Sequence, residues 1–468
     1  MKIALIYPAM GVVSVVNQPN IKAVADNYGI YPNMSLSYVA GALQKAGHDL
    51  IFLDAMASKL SLNDLVTKVQ SFKAEILMFS ITTYLFHQSI EIIKYFKERC
   101  KNVIIIVGGA HLGIFPKETL TQKCIDFGII GEAEEAVVEL IDSIENKKPL
   151  IEIKGICYRK NKKIIITKKR DKIKDLDTIA FPARNLLPME RYYSFISKFK
   201  NYTILMSSRG CTFQCIFCEQ RTGDIRYRSK KNVVDEIEEC YNKYHVKEID
   251  IFDPLFTINK KRVIEICKEI QKRNINIAWS CRSRVDTIDE EMLVEMKKAG
   301  CYRIYFGIES GDEIILKKIK KFTKISQIKK AIHLTKKHKI LAFGYFMFGN
   351  PGETKSTIEN TINLSLSLPL DYAQYNRVST LPGTVLYENL KNTLGEDYWK
   401  KYVKDKKFER ALPRFDCNLS DEILNKYIKK AYMKFYFRPI QVFRIIKSIN
   451  SIKEFVRYVK AGISMIIN

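Results

Sequence analysis

Three of the eleven cysteines lie within eight positions of each other, in Ser208-Arg209-Gly210-Cys211-Thr212-Phe213-Gln214-Cys215-Ile216-Phe217-Cys218. The spacing is C-x3-C-x2-C. Three thiolates on one tight loop can hold three irons of a 4Fe-4S cluster, and the fourth iron is then left without a protein ligand. An open iron can bind and act on a second molecule. A closed zinc site would want a fourth Cys or His nearby. The next candidates, Cys240 and His245, fall in a helical segment and at its end. The other cysteines, Cys100, Cys124, Cys157, Cys240, Cys267, Cys281, Cys301 and Cys417, are scattered and read as small buried apolar residues. The chain begins Met1-Lys2-Ile3-Ala4-Leu5-Ile6-Tyr7-Pro8, a core strand rather than a signal peptide. A cytoplasmic setting with reduced thiols is expected.

Polar and glycine-rich runs recur where apolar stretches end. After the triad come Asp253-Pro254, Ser280-Cys281-Arg282-Ser283-Arg284, Gly307-Ile308-Glu309-Ser310-Gly311 and Phe348-Gly349-Asn350-Pro351-Gly352-Glu353. Before it come Ser80-Ile81-Thr82-Thr83, Gly108-Gly109-Ala110-His111 and Gly131-Glu132-Ala133-Glu134-Glu135. Carboxylates and guanidinium groups there suit the charged ends of a small molecule. Small and hydroxyl residues let a ligand approach the backbone closely.

Two frameworks are needed to position these loops. From residue 1 to 147, strand patterns at 3–7, 50–53, 76–81, 103–107 and 127–130 alternate with helical ones such as Leu36-Val39-Ala40-Leu43. This is an α/β pattern, a doubly wound parallel (Rossmann-like) sheet that binds ligands at the carboxyl ends of its strands. Residues 148–200 read as a β-hairpin and an irregular connector with Pro182 and Pro188. From 201 to 395, strand patterns at 203–207, 248–252, 278–281, 303–308, 342–348 and 373–379 alternate with helices. That is the pattern of a partial (β/α)6 barrel with its active residues at strand C-termini. Residues 396–468 read as a basic helical region.

The triad, followed in this order by those runs, closely resembles the radical S-adenosylmethionine superfamily. The resemblance implies a 4Fe-4S cluster on Cys211, Cys215 and Cys218, with S-adenosylmethionine on the open iron, cleaved to a 5′-deoxyadenosyl radical. It places Phe217 against adenine, Asp253 at the methionine amino group, and Arg282 and Arg284 at its carboxylate. It places Glu309 and Ser310 at the ribose and Gly349 against adenine. The Ser-x-Thr at 80–82 followed by Gly108-Gly109 resembles the cobalamin-binding domain. That implies a cobalamin site lined by Ser80, Thr82, Thr83, Gly108, Gly109, His111, Gly131 and Glu132. The family's axial-histidine motif would fall at Asn33-Met34-Ser35-Leu36-Ser37-Tyr38, which holds no histidine. A base-off cobalamin without a protein imidazole is therefore expected. Phe181-Pro182-Ala183-Arg184 and Thr380-Leu381-Pro382-Gly383-Thr384 extend the likeness over essentially the whole chain. They resemble the group that includes the anaerobic magnesium-protoporphyrin IX monomethyl ester cyclase and hopanoid-modifying enzymes.

The implied activity is methylation of an unactivated carbon on a hydrophobic or tetrapyrrole-like small molecule, with an external electron donor of the flavodoxin or ferredoxin type. Oxidation or ring closure of the cyclase kind, without methyl transfer, fits the same residues. A methylthiotransferase would want a second cysteine triad upstream, where only Cys100 and Cys124 occur. A non-enzymatic cobalamin-binding sensor would have no use for the triad.

The chain has 468 residues, 77 Lys plus Arg against 51 Asp plus Glu, and a formal charge of +26. Its 47% hydrophobic and 27% charged residues exclude a disordered chain. No stretch reaches the roughly 18 to 20 unbroken apolar residues of a membrane span, and no nucleic-acid motif accompanies the charge. From Ile423 to Asn468, ten Lys or Arg stand against Glu454 alone. Ser420-Asp421-Glu422 reads as a helix start. Leu424, Ile428, Ala431, Tyr432 and Phe435 then share one face until Pro439 interrupts. A second amphipathic run carries Val442, Phe443, Ile445, Ile446, Phe455, Val456 and Val459. Two readings fit: a helical cap packed on the barrel, or peripheral contact with an anionic membrane surface.

Overall fold

Ile3, Ala4, Leu5 and Ile6 are wholly buried in strand β1 (Lys2–Tyr7), part of the first of two units into which the chain divides. The computed structural model describes residues 1–8, 29–410, 417, 419–448, 456 and 459. Of these, residues 1–8, 30–193 and 394–410 form the first unit, and residues 194–393, 417 and 419–448 belong to the second.

In the first unit β1 is flanked by β2 (Asp49–Asp54) and β3 (Ile76–Ser80), followed by β4 (Ile104–Gly108) and β5 (Phe127–Ile129). The order is β2-β1-β3-β4-β5, all parallel. Runs such as Ile104-Ile105-Ile106-Val107 suit a strand covered on both faces. The crossovers run through helices α1 (Met34–Lys45), α2 (Leu62–Phe72), α3 (Phe86–Arg99), α4 (Pro116–Leu120) and α5 (Glu134–Glu145). Ser61 and Asp64 start α2 with a reciprocal capping box. The hairpin is not a linker. Its strands β6 (Ile156–Lys160) and β7 (Lys163–Ile166) add antiparallel to β5 and extend the same sheet. Only the stretch after it is an irregular connector.

The second unit holds six parallel strands in chain order: β8 (Tyr202–Leu205), β9 (Glu248–Ile251), β10 (Ala278–Ser283), β11 (Cys301–Glu309), β12 (Leu341–Phe348) and β13 (Tyr372–Arg377). Helices α6 (Lys230–Lys243), α7 (Lys260–Lys272), α8 (Glu290–Lys298), α9 (Ile325–Lys337) and α10 (Lys355–Ser367) lie between them. Ser229, Asn259, Asp289 and Thr354 cap four of these, each accepting from a backbone N–H in the first turn. Ile249, Ile251, Trp279, Cys281, Ile304 and Phe306 are all buried in these strands. This is the expected half-open barrel.

The C-terminal region is not one body. Helix α11 (Tyr398–Lys404) belongs to the first unit. There Tyr402 Oη donates to the Tyr84 carbonyl at 2.9 Å, His87 Nε2 meets the Tyr402 carbonyl at 2.5 Å, and Lys400 pairs with Glu118 at 3.3 Å. Helix α12 (Asp421–Tyr436) packs on β13 and α10 in the second unit. Ser420 caps it, and Leu424, Ile428, Ala431, Tyr432 and Phe435 are its buried face. For α12 the cap reading holds.

Helix α13 (Pro439–Ser448) is turned the other way. Gln441 is buried and donates to the Asp371 carbonyl. Arg438 and Arg444 donate to the carbonyls of Leu366 and Leu370 at 2.6 and 3.1 Å. Ile440, Phe443 and Ile446 are 55%, 66% and 61% exposed. No helix among the described residues is long and apolar enough to cross a membrane. Phe455 lies outside the described residues, and Val456 and Val459 are exposed.

Candidate functional site

The cluster loop leaves β8 and is fastened at once. Asp253, just past β9, accepts from the backbone N–H groups of Ser207 (2.6 Å) and Ser208 (3.1 Å) and from their hydroxyls (2.5 and 2.7 Å). Gly210 follows at φ +92°, where a Cβ would lie 2.2 Å from the Asp224 carbonyl oxygen. Only glycine fits there. The loop folds back through Cys211 N–H to Thr222 Oγ1 and Gly223 N–H to the Cys211 carbonyl. Cys215 is buried, while Cys211 and Cys218 are half-buried, and all three thiols are free. Burial pushes the Cys215 and Cys218 thiols up, and Lys321 and Arg284 pull Cys215 part of the way back. Loading iron strips those protons. No three His, Cys, Asp or Glu among the described residues converge on a single point, as a mononuclear zinc site requires. Thiolates that each take a different iron stand apart. Cys240 is buried in α6.

Several positions expected to touch S-adenosylmethionine are spent on the protein itself. Asp253 has all four of its hydrogen bonds in the loop just described, so it anchors that loop instead of meeting an amino group. Arg282 is chelated by Asp250, at 2.7 and 3.0 Å. Arg284 is chelated by Asp286, at 2.9 and 2.8 Å, and also donates to the Lys321 carbonyl. Neither arginine waits for a ligand carboxylate. Ser310 is fully buried and bonds Thr361 of α10, so it fixes a turn. Leu424 of α12 lies 3.1 Å from where a Cβ on Gly349 would stand, so α12 packs against that side of the turn. Phe217 is half-buried.

Glu309 sits at φ +69° in a bulge where the β11–β12 register shifts. Its Oε1 accepts from Lys321 Nζ at 3.2 Å, and both side chains are nearly buried. A Cβ on Gly307 would strike both, at 2.5 and 2.8 Å, so the Gly-Ile-Glu run is what admits this pair. The pair reaches Cys215 electrostatically. Sequence reasoning missed Lys321.

In the first unit the loops after β3 and β4 are stitched together, with Ile81 N–H donating to the Gly108 carbonyl at 2.8 Å. Gly109, at φ +103°, passes so close that a Cβ would lie 2.5 Å from the Ile81 carbonyl oxygen and 3.0 Å from Ser80 Oγ. Gly108 and Gly131 face open space, with no atom within 4 Å of where a Cβ would stand. Thr82 Oγ1 is buried without a partner. An open, glycine-lined cradle with an orphaned hydroxyl beside the carboxyl ends of β3, β4 and β5 fits a corrinoid. Thr83 and His111 are not part of an open wall. His111 is fully buried, its Nδ1 lies 3.0 Å from Thr83 Oγ1, and its ring packs 4.6 Å from Phe86 and 5.6 Å from Phe115. Burial holds it neutral, down to about 3. Glu132 accepts from the Ile173 N–H and so fastens the connector. At the position of the missing axial histidine, Asn33 caps α1 through Oδ1 to the Leu36 N–H, at 3.0 Å.

Comparison with known proteins matches residues 205–365 to the Radical SAM superfamily and residues 22–141 to the B12 binding domain. An uncharacterised methyltransferase of Pyrococcus horikoshii is 33% identical, over 94% of this chain and 93% of its own. The anaerobic magnesium-protoporphyrin IX monomethyl ester cyclase of Cereibacter sphaeroides is 30% identical, over 88% of this chain and 68% of its own. Among solved structures, the cobalamin-dependent S-adenosylmethionine radical enzyme OxsB with aqua-cobalamin bound superposes with a TM-score of 0.74 at 16% identity, covering 99% of this chain and 71% of that one. The radical S-adenosylmethionine methyltransferase TsrM of Kitasatospora setae, with cobalamin and a [4Fe-4S] cluster bound, gives 0.65 at 15% identity, over 83% and 75%. At these identities the two structures speak for the fold.

Proposed function

We propose that this chain, which belongs to the cobalamin-binding radical S-adenosylmethionine enzymes, methylates an unactivated carbon of a hydrophobic or tetrapyrrole-like small molecule. The reading is carried by one observation: the chain carries both an open C-x3-C-x2-C loop and a glycine-lined cradle, and it is similar over nearly its whole length to a methyltransferase of Pyrococcus horikoshii. When bound, the cluster with S-adenosylmethionine supplies a hydrogen-abstracting radical, and methylated cobalamin supplies a methyl group. The chain's own residues hold and orient. Cys211, Cys215 and Cys218 are the cluster ligands. Asp253 fixes the loop that carries them. Phe217, on the cluster loop, and the Glu309–Lys321 pair beside Cys215 would meet bound S-adenosylmethionine. Ser80, Thr82, Gly108, Gly109 and Gly131 line the corrinoid site.

A second reading, oxidation or ring closure without methyl transfer, is favoured by the likeness to the cyclase. Anaerobic turnover with candidate lipids and tetrapyrroles separates the two by product mass. Methylation adds CH2, whereas oxidation removes hydrogen or adds oxygen. Replacing any of the three cysteines by Ala abolishes 5′-deoxyadenosine formation. Wild-type cleavage by the triple variant would end the reading.

Enzymes of this superfamily typically act on small molecules with an external reductant, here of the flavodoxin or ferredoxin type. The outward apolar stripe of α13, with the exposed Lys434 close by in the chain, supports peripheral contact with an anionic membrane surface.

A further inference from the structure

The inner face of the six-stranded sheet in the second unit is a charged and aromatic wall rather than a hydrocarbon core. Side chains alternate along each strand, so Glu248 and Asp250 of β9 lie on the face opposite Ile249 and Ile251. Register carries that face across to Ser280 and Arg282, then to Arg303 and Tyr305, then to Phe343 and Tyr345.

Each charge on this wall is already matched. Arg303 meets Glu248 at 3.5 Å, and Glu248 also accepts from Tyr302 Oη and from the N–H groups of Lys198 and Phe199. Arg282 is chelated by Asp250, which further accepts from Tyr202 Oη at 3.1 Å and Ser280 Oγ at 3.2 Å. Two cations and two anions leave the wall neutral. An incoming anion would have to draw a guanidinium away from a buried carboxylate, and stripping one partner from such a pair is strongly unfavourable.

The rest of the wall is a row of rings. Tyr305 and Phe343 stand 5.1 Å apart, Phe343 and Tyr345 4.9 Å, and Phe343 and Tyr372 6.0 Å. Tyr305 and Tyr345 are nearly parallel, 13° apart at 5.9 Å. Phe252, just past β9, lies 3.6 Å beneath the Arg282 guanidinium and is 46% exposed. Tyr305 and Phe343 are buried, while Tyr345 and Tyr372 are half-buried. Tyr372 begins β13 beside Phe343, whereas Tyr345 lies two residues further toward the carboxyl end of β12, the end at which β8 runs into the cluster loop.

We propose that this wall is the substrate platform, and that it takes an uncharged aromatic or conjugated ring against the half-buried Tyr345, while rejecting anionic groups. The inference rests on the enzyme reading above and adds the chemical class of the substrate. Ring-on-ring contact contributes roughly twofold to tenfold in affinity per ring. The matched charges set the selectivity.

The test uses two dyes with one ring system, neutral N-phenyl-1-naphthylamine and its sulfonated analogue 8-anilinonaphthalene-1-sulfonate, titrated by fluorescence into the full chain. The neutral dye binds at least tenfold more tightly than the sulfonate. Tyr345→Ala weakens the neutral dye about tenfold. Asp250→Asn unpairs Arg282, so sulfonate affinity rises at least tenfold. Where Asp250→Asn fails to fold, Tyr345→Ala carries the test. Equal binding of both dyes to the wild type overturns the inference. So does a neutral dye that ignores Tyr345→Ala but is lost on Phe443→Ser, which would place it on α13. Reductive cleavage of S-adenosylmethionine by the wild type is measured beside this. Its loss with dye selectivity intact sinks the enzyme reading, and the converse result sinks only the platform.

Discussion

Arg284 Nη1 donates to the Cys215 sulfur at 3.6 Å. The same guanidinium lies 3.7 Å over the Phe213 ring, is chelated by Asp286 and reaches the Lys321 carbonyl. One side chain thus ties the end of β10 to the cluster loop and to the stretch that supplies Lys321. An N–H···S bond from a cation favours negative charge on the sulfur, and hydrogen bonds to cluster sulfurs raise its reduction potential.

Arg284→Gln removes that charge and should lower the cluster's midpoint potential by an amount on the order of tens of millivolts. Arg284→Lys should retain part of the potential. A paramagnetic-resonance redox titration of the reconstituted protein reads this without turnover. An unchanged midpoint in both variants would remove Arg284 from any role at the cluster.

Gly109→Ala drives a methyl group into the Ile81 backbone at a φ that side chains rarely adopt. A cost of about 1 to 3 kcal/mol is expected, seen as a lower melting temperature together with weaker cobalamin binding. Gly108→Val places its side chain in open space, so the fold should survive while cobalamin affinity falls. Absorption titration with hydroxocobalamin separates the two. Full affinity in Gly108→Val would move the corrinoid elsewhere.

His111 is held near 3 by burial first and by His87 second, far below the usual value of 6.5. Because the folded value lies below the unfolded one, folding resists protonation. The associated stability is complete above about pH 6.5 and is lost as pH falls toward 3. At roughly 1.4 kcal/mol per unit, the loss reaches about 5 kcal/mol at the acid end. His111→Gln cannot titrate there, so its melting temperature should fall less steeply between about pH 6 and 4. Cobalamin bound to the wild type should show no nitrogen ligand from the protein in its paramagnetic-resonance spectrum. Nitrogen coupling that vanishes in His111→Gln or His87→Gln would contradict this.

The face of α13 predicts a lipid preference. Full-length protein should sediment with vesicles containing anionic phosphatidylglycerol and not with pure phosphatidylcholine, and binding should weaken as salt rises. Phe443→Ser with Ile446→Ser should reduce recovery severalfold without altering the melting temperature, since both side chains are exposed. Equal recovery in the supernatant with both vesicle types at low salt would rule the contact out.

What could be read in advance follows the range over which each feature is encoded. Ile104-Ile105-Ile106-Val107 announces a buried strand locally, and Ser420-Asp421-Glu422 announces a helix start. The three cysteines announce their loop by spacing alone. The place of the hairpin was hidden because β6 pairs with β5 through contacts that no local pattern contains. Motif order located the loops that hold Asp253, Arg282 and Arg284. It could not say that these side chains would be consumed by Ser207, Asp250 and Asp286, because that depends on how closely separate loops approach. Lys321 ends the run Lys317-Lys318-Ile319-Lys320-Lys321, where nothing sets it apart, yet it is the buried one. For α13 the periodicity gives two faces and is silent about which one turns inward.

The return of α11 to the first unit imposes an order on synthesis. Residues 1–193 leave the ribosome without Tyr402, which bonds the Tyr84 carbonyl and meets His87. About two hundred residues, at roughly 5 to 20 per second, separate the two segments, a delay of some ten to forty seconds. All six barrel strands emerge within that interval. The cobalamin unit therefore begins the chain but is finished after the barrel strands have formed, and expressing it as an N-terminal fragment would yield a protein missing its last helix.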